Sequence, residues 1–190
     1  DQGETPRALL YLEHSIRDAR TDVHGNPRVV SRRFEFVDVD EAGHARAAGQ
    51  APYLDLRPPT DAEFLATTDL LDADWLHTDI EAVGVNTAIA EAVPEHLAKV
   101  RAHTTARVQK VRQAVKDRLT REINHWDHRA VELREQAAAG KQPKMNPDRA
   151  QSRADALAER LRRRMAELEN EEQLSALPPV VVGGALVVPV

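Results

Sequence analysis

The chain has 190 residues, of which 42% are apolar and only 4% aromatic, so it can bury a modest core of aliphatic side chains. It has no cysteine, which excludes a disulfide scaffold, a thiolate metal site and a cysteine nucleophile. No apolar run is long enough to span a membrane and no signal peptide is visible, so we expect a cytoplasmic protein without membrane contact.

The net charge of -5 is unevenly distributed along the chain. Residues 1–98 contain 8 Lys or Arg and 19 Asp or Glu, whereas residues 99–136 contain 10 Lys or Arg and 5 Asp or Glu. An acidic segment therefore precedes a basic one. This asymmetry is compatible with contact to nucleic acid or to an acidic partner, and the simpler interpretation is a solvated helix face.

The first part of the chain predicts a β-hairpin, a loop and a short helix. Residues 7–17 and 28–39 are apolar-rich, and the turn-forming sequence G-N-P lies between them. Residues 40–59 contain two glycines and three prolines, which indicates a loop. Thr60 and Glu63 have the spacing of a capping box, so we predict a helix of about three turns from this point.

One long helix is predicted from Glu95 to a turn at Gly140. Pro94 suits the first helical turn, and Gly140 suits a C-cap. Between them no Gly or Pro interrupts a series of apolar or small residues at spacings of three or four. The series is Leu97, Val100, Thr104, Val108, Val111, Val115, Leu119, Ile123, Trp126, Ala130, Leu133 and Ala137.

A second helix and a final strand follow. Asn146 and Pro147 form an N-cap and first-turn pair, and the spacing of three or four continues to about Leu174. We predict that the two helices form an antiparallel coiled-coil hairpin. After two prolines, the run V-V-V-G-G-A-L-V-V is apolar on both parities, as in a central strand, and its Gly-Gly pair suggests a bulge or a close backbone approach.

These elements predict an α+β fold. A small β-sheet head is formed by residues 1–94 and 176–190, and a long antiparallel helical hairpin, residues 95–175, protrudes from it before the C-terminal strand returns to the sheet. The chain begins without methionine and ends directly after an apolar strand. We therefore expect it to be a piece of a longer protein.

The stretch E-I-N-H-W-D-H-R-A, residues 122–130, raises the question of a metal site. Glu122, His125 and His128 are helical neighbours, but carboxylate-bridged di-iron bundles use two E-x-x-H motifs and further glutamates. Only one such motif is present, and the facing helix is rich in arginine. We predict no metal site, keep metal-dependent catalysis only as a testable alternative, and expect Trp126 to lie in the core.

No catalytic motif is complete. D-V-D-E-A-G-H, residues 38–44, resembles a helicase Asp-Glu-Ala-His box, but a glycine interrupts it and no phosphate-binding loop precedes it. G-x-S-x-G and H-E-x-x-H are absent, and the serines have no triad context in the sequence. We predict no catalytic residue and no enzyme activity in this chain.

The helical segments carry the candidate contact residues for nucleic acid or a partner. Several of these basic residues fall on two nearby helix stripes, which is geometrically suitable for tracking phosphates. No aromatic residue is interleaved with them, which argues against stacking of single-stranded bases. The candidates are Arg107, Lys110, Arg118, Arg121, Arg162, Arg163 and Arg164.

Several runs of the sequence resemble a C-terminal region of large bacterial Swi/Snf-type helicases, some of them associated with phage-defence clusters. These runs are A-L-L-Y-L-E-H-S-I-R-D-A-R-T-D-x-H-G-N, V-S-R-R-F, A-P-Y-L-D-L-R-P, V-K-D-R-L-T-R-E-I-N-H-W-D-H-R-A and L-P-P-V-V-V-G-G-A-L-V-V-P. The order of elements is also similar to the C-terminal part of the RNA polymerase-associated Swi/Snf ATPase. The resemblance covers almost the whole chain and includes no helicase motif.

The resemblance implies an accessory module of an ATP-driven DNA translocase. ATP and Mg would then bind the upstream helicase domains of the same chain, and this segment would need no cofactor. Its partners would be those upstream domains and either DNA or another protein. The alternative is a structural spacer that binds neither nucleic acid nor metal.

Overall fold

The computed structural model describes residues 5–189, which form a mixed α and β structure. It contains a curled antiparallel half-barrel sheet and a C-terminal strand that belongs to the sheet. It also contains a long bent helix of 59 residues, which consists of the segments α2 and α3 below. The elements are β1 (Arg7–Thr21), β2 (Pro27–Asp40), β3 (Ala45–Ala47), α1 (Asp61–Thr67), α2 (Ile80–Ala90), α3 (Ala92–Ala138), α4 (Pro147–Glu172), β4 (Ser175–Ala176) and β5 (Val180–Val187).

The described residues fall into two compact units. The sheet unit contains residues 5–17, 27–100 and 174–189, and the helical unit contains residues 18–26 and 101–173. The tip of the β1–β2 hairpin thus groups with the helices, although the sequence analysis assigned it to the head. The charges of this tip explain the grouping, as described below.

The strand order is β3-β2-β1-β4, and β5 also pairs with β1. The pairing of β5 with β1 is antiparallel and joins Arg7 to Val187 and Glu13 to Val180, with an irregularity between Tyr11 and Leu12. The prediction that the last strand returns to the sheet is confirmed. The prediction that it is a central strand is wrong, because β1 is its only strand partner within residues 5–189.

The core of the sheet unit lies between α2 and one face of the sheet. Leu10 and Leu12 of β1 cluster with Val37 and Val39 of β2 and are almost completely buried. Gly84 of α2 allows the close approach, because a Cβ atom there would lie 2.4 Å from Leu10 Cδ1. This core is therefore built of aliphatic side chains, as the composition of the sequence requires.

The helical unit contains the helix-to-helix contacts of α3 and α4. Ala130, Leu133 and Ala150 form a buried cluster at one end, and Arg107 Nη2 donates to Glu171 Oε2 at 2.7 Å near the other end. Arg107 of α3 thus contacts the end of α4, whereas Ala130 and Leu133, later in α3, contact Ala150 near the start of α4. Where these contacts form, the two helices therefore run antiparallel.

The long helix differs from the prediction at its beginning. Helical structure starts at Ile80, is interrupted at Glu91 and resumes at Ala92. Pro94 explains the interruption, because its ring excludes the carbonyl of residue 90 and it has no N–H to donate. Pro94 therefore marks a bend, whereas the sequence analysis placed it at the start of the helix and predicted no helix over residues 80–90.

Candidate functional site

Two of the seven predicted contact residues are part of a buried ion cluster. Arg107 and Arg164 both point to the carboxylate of Glu171, at 2.7 Å and 3.4 Å respectively. Glu171 is only 3% exposed. Arg107 and Arg164 therefore help to neutralise a buried carboxylate, and their contact with nucleic acid or a partner stays a prediction.

The same carboxylate binds the tip of the β1–β2 hairpin. Arg20 Nη1 lies 2.7 Å from Glu171 Oε1, and the other edge of its guanidinium group contacts the buried carboxylate of Asp18. Burial alone raises the pKa of Glu171, but the hydrogen bond from Arg107 and the charges of Arg20, Arg107 and Arg164 together lower it below 4.5. Glu171 is therefore ionised at neutral pH and ties the hairpin tip to both helices.

The sequence analysis missed Glu171, although a signal was present. The residue follows Leu168 by three positions and so continues the apolar stripe of α4. A carboxylate on a buried stripe requires a cationic partner. Its partners lie 64 positions away at Arg107 and more than 150 positions away at Arg20, so the sequence does not reveal them.

Two further predicted residues form local ion pairs on the helix surface. Arg118 donates to Glu122 at 2.9 Å, and Arg162 lies 2.6 Å from Glu159. Both arginines are more than 70% exposed, so these pairs contribute little to stability and are readily exchanged for another anion.

Three predicted residues carry positive charge that no carboxylate neutralises within residues 5–189. Lys110 and Arg163 have no ion pair or hydrogen bond, and Arg121 donates only to the backbone carbonyl of Asp117 at 3.1 Å. All three are exposed. At 100° per residue, Lys110 and Arg121 lie within about 20° of each other and about 16 Å apart along α3. Asp117 lies between them and weakens the stripe.

The stretch of residues 122–130 is divided between packing and solvent. Trp126 packs against the cluster of Ala130, Leu133 and Ala150, and the guanidinium carbon of Arg153 lies 4.4 Å from the centre of its ring. The indole therefore supports the contact between α3 and α4 through apolar packing and a cation–π interaction.

The acidic and histidine side chains of this stretch do not converge. Glu122 accepts from Arg118, which is the main cause of the lowered pKa of Glu122, and His128 lies 3.4 Å from Glu132. His125 instead contacts the edge of the Trp126 ring. Within the described part of the chain, no group of three or more histidines and carboxylates is arranged to hold a metal ion.

The box-like stretch of residues 38–44 consists of the end of β2 and the hairpin turn that leads to β3. Asp40 Oδ1 accepts hydrogen bonds from the backbone N–H groups of Ala42 and His44, and Gly43 has a φ of 80°. The pattern D-x-x-G-H is thus a turn whose glycine is required by its positive φ. The tip of the β1–β2 hairpin, D-V-H-G-N, forms the same arrangement around Asp22.

A buried polar chain in the sheet unit was not anticipated. His96 Nε2 lies 2.7 Å from Ser31 Oγ, and His96 Nδ1 lies 3.5 Å from His14 Nδ1. The far nitrogen of His14 lies 3.7 Å from Glu35 Oε1, and neither atom has a hydrogen-bond partner. Arg33 Nε approaches the same oxygen at 2.6 Å as an ion pair, but without the geometry of a hydrogen bond.

Burial dominates the electrostatics of the two histidines. It lowers the pKa of His14 more than the charge of Glu35 raises it, and it lowers the pKa of His96 together with the charges of Arg33 and Lys99. Both rings are therefore neutral at pH 7. The parity of β1 signalled a buried His14, because His14 alternates with Leu10, Leu12 and Ile16, but the partners at positions 31 and 96 gave no local signal.

The comparisons with known proteins give no match: no protein family model, no curated protein and no solved structure is significantly similar to this chain. Any function assigned to the candidate site must therefore be argued from the geometry of its residues.

The sheet unit also contains a groove of about 1170 Å³. Its three arginines are balanced by three carboxylates of the lining: Arg57 lies 2.6 Å from Glu63, Arg7 and Arg46 lie 3.2 Å and 3.5 Å from Asp38, and Asp55 is the third carboxylate. The groove therefore presents no excess charge to an anion. Among residues 5–189, no helix is long and apolar enough to cross a membrane.

Proposed function

We propose that this chain is a non-catalytic accessory module of a larger bacterial Swi/Snf-type helicase, and that its helical unit contacts DNA through uncompensated basic side chains. The supporting observation is that Lys110, Arg121 and Arg163 are exposed and have no carboxylate partner among the described residues. The resemblance in sequence supplies the link to helicases. ATP, Mg and the catalytic residues belong, in this proposal, to upstream domains in the cytoplasm.

The contact would be with phosphates and not with bases. Three separated cations on helical surfaces provide charge without the hydrogen-bonding pattern that distinguishes base pairs. Arg118 and Arg162 can add to this surface when DNA phosphates replace Glu122 and Glu159, because both pairs are exposed. We therefore expect weak, salt-sensitive binding with little sequence preference.

The arrangement of α3 and α4 suits this role. We propose that the two antiparallel helices supercoil as a coiled coil and position DNA, or a protein partner, relative to the ATPase. The Glu171 cluster would fix the base of this arm, because it links both helices to the hairpin tip.

A structural spacer is the second candidate function. It is favoured by one observation, namely that Arg107, Arg118, Arg162 and Arg164 already have carboxylate partners. A spacer would bind neither nucleic acid nor metal.

Fluorescence anisotropy of labelled duplex and single-stranded DNA across a salt series separates the two functions. The module should bind duplex DNA, and the logarithm of its affinity should fall linearly with the logarithm of the salt concentration. In the variant Lys110→Glu/Arg163→Glu this slope should become less negative by about 0.9 for each phosphate that the variant no longer neutralises.

The matched control is Arg149→Glu, which reverses an exposed cation of α4 outside the predicted set. It should bind more like the unaltered chain than the double variant does. Absence of binding at low salt, or an equal reduction of affinity in both variants, would favour the spacer.

A further inference from the structure

The outer edge of β5 is an unpaired strand edge. Within residues 5–189, β5 pairs with β1 on one side, and no loop or side chain hydrogen-bonds to its other side. The strand has eight residues, V-V-V-G-G-A-L-V, and carries no charge, and its register with β1 skips Val182. Long uncharged edges readily pair with another strand, and proteins usually block them. The opposite edge strand, β3, shows such blocking, because it has three residues and one of them is Arg46.

The sequence of β5 is complementary to itself when read in the antiparallel direction. A two-fold axis between Gly183 and Gly184 would place the two glycines opposite each other, and valine opposite valine at positions 180 and 187. Position 181 would meet position 186, valine against leucine, and position 182 would meet position 185, valine against alanine. Each residue would face one of similar character, and no like charges would meet.

The glycine at position 183 supports the same pairing independently. Its φ is not positive, and a Cβ atom at this position would meet nothing within 4 Å. The neighbouring Gly184 is explained inside the unit, because a Cβ there would lie 3.3 Å from Leu10 Cδ2. Nothing in the described residues requires a glycine at 183, whereas close approach of a second backbone would.

We propose that β5 is an interface between two copies of this chain, in which the β5 strands pair antiparallel about a two-fold axis at Gly183-Gly184 and join the two sheets. The exposed side chains of Val180 and Val182, 60% and 51% accessible, lie within the paired segment. Pro179 and Pro189 lack an N–H group and limit the pairing to about the length of β5. A pair of eight-residue strands is a small contact beside a standard interface of about 1,600 Å², so we expect a weak dimer whose population depends on concentration.

Sedimentation velocity of the full chain over a concentration series tests the proposal. The unaltered chain should shift from monomer to dimer as its concentration rises. Val182→Lys should raise the dissociation constant of the dimer at least tenfold, because it places a charge on the edge strand. The control Val131→Lys changes a valine of α3 that is similarly exposed, at 46%, and should leave the dissociation constant unchanged. Circular dichroism checks the fold, and Val180→Lys replaces Val182→Lys if that variant unfolds.

The register is tested separately. The natural chain has no cysteine, so Val182→Cys/Ala185→Cys introduces the only thiols. In the proposed register each Cys at 182 faces position 185 of the second copy, and mild oxidation should give a disulfide-linked dimer. The pair Val131→Cys/Ala138→Cys on α3 serves as the control and should stay monomeric. A chain that is monomeric at every concentration, or a dimer unaffected by Val182→Lys and by Val180→Lys, would overturn the proposal and leave the edge to a different polypeptide.

Discussion

In the helical unit the buried carboxylate of Glu171 is surrounded by three guanidinium groups, whereas in the sheet unit the buried His14 faces a carboxylate without hydrogen-bonding to it. The first arrangement is strongly compensated and holds charge at neutral pH. The second leaves two polar atoms unsatisfied and keeps the imidazole neutral. The same chain thus uses buried charge as a link in one unit and tolerates a neutral titratable group in the other, and the two units should respond differently to mutation and to pH.

Among the variants that test this contrast, Glu171→Gln should lower the free energy of unfolding most. It leaves Arg107 without its charged partner and Arg20 with Asp18 as its remaining partner, which we expect to cost about 2–3 kcal/mol of unfolding free energy, less than a fully buried pair because Arg107 is half exposed. Urea denaturation followed by circular dichroism at 222 nm measures this change. Glu169→Gln, an exposed neighbour, should change the free energy by less than about 0.5 kcal/mol.

Equal effects of the two glutamate variants would mean that the Glu171 cluster does not stabilise the helical unit. Buried charge would then not distinguish the helical unit from the sheet unit.

Mild acid should destabilise the sheet unit before the helical unit. The folded-state pKa values of His14 and His96 lie below 6.5, so their contribution is complete above pH 6.5 and is lost as the pH falls through those lower values. The contribution of Glu171 is complete above pH 4.5 and is lost only below it. Thermal unfolding between about pH 7.5 and about pH 2 measures both windows.

His96→Gln supplies the test of this assignment. It removes one of the buried rings and should make the fall in melting temperature between pH 7 and pH 5 shallower, whereas the exposed control His103→Gln should leave it as in the unaltered chain. A fall that is the same in all three proteins would show that the buried pair is not responsible.

The smallest effect concerns the contact between Arg153 and Trp126. Arg153→Gln should cost about 0.5–1 kcal/mol, because the ring remains packed and only the cation–π interaction is removed. Arg149→Gln, four residues earlier and without a side-chain partner within residues 5–189, is its control. Chemical denaturation resolves the difference, and an equal destabilisation in both variants would point to a general charge effect.

Much of the fold followed from local patterns. The turn residues 25–27, the capping pair Thr60 and Glu63, and the N-cap Asn146 lie where the structure has a turn and two helix starts. Each depends on side chains within a few residues, which is why the sequence reveals it. Pro94 shows the limit of this reasoning, because a proline near a helix start and a proline at a bend look the same without knowledge of the preceding turn.

The candidate site was only partly accessible from the sequence. Its basic residues are visible in the sequence, but the division of Arg107 and Lys110 into a compensated and a free cation depends on Glu171, 64 positions from Arg107. The chain from Ser31 through His96 to His14 likewise joins residues 65 and 82 positions apart. Contacts at such separations follow from the packing of elements and leave no periodic signal.

The most direct measurement compares Arg107→Gln with Lys110→Gln, a matched pair on α3 three residues apart. Melting temperature and DNA affinity at low salt are recorded for both. We predict that Arg107→Gln lowers the melting temperature and leaves the affinity nearly unchanged, whereas Lys110→Gln lowers the affinity and leaves the melting temperature unchanged. The same pair of changes in both variants, or no change of affinity in Lys110→Gln, would contradict the division into structural and contact cations.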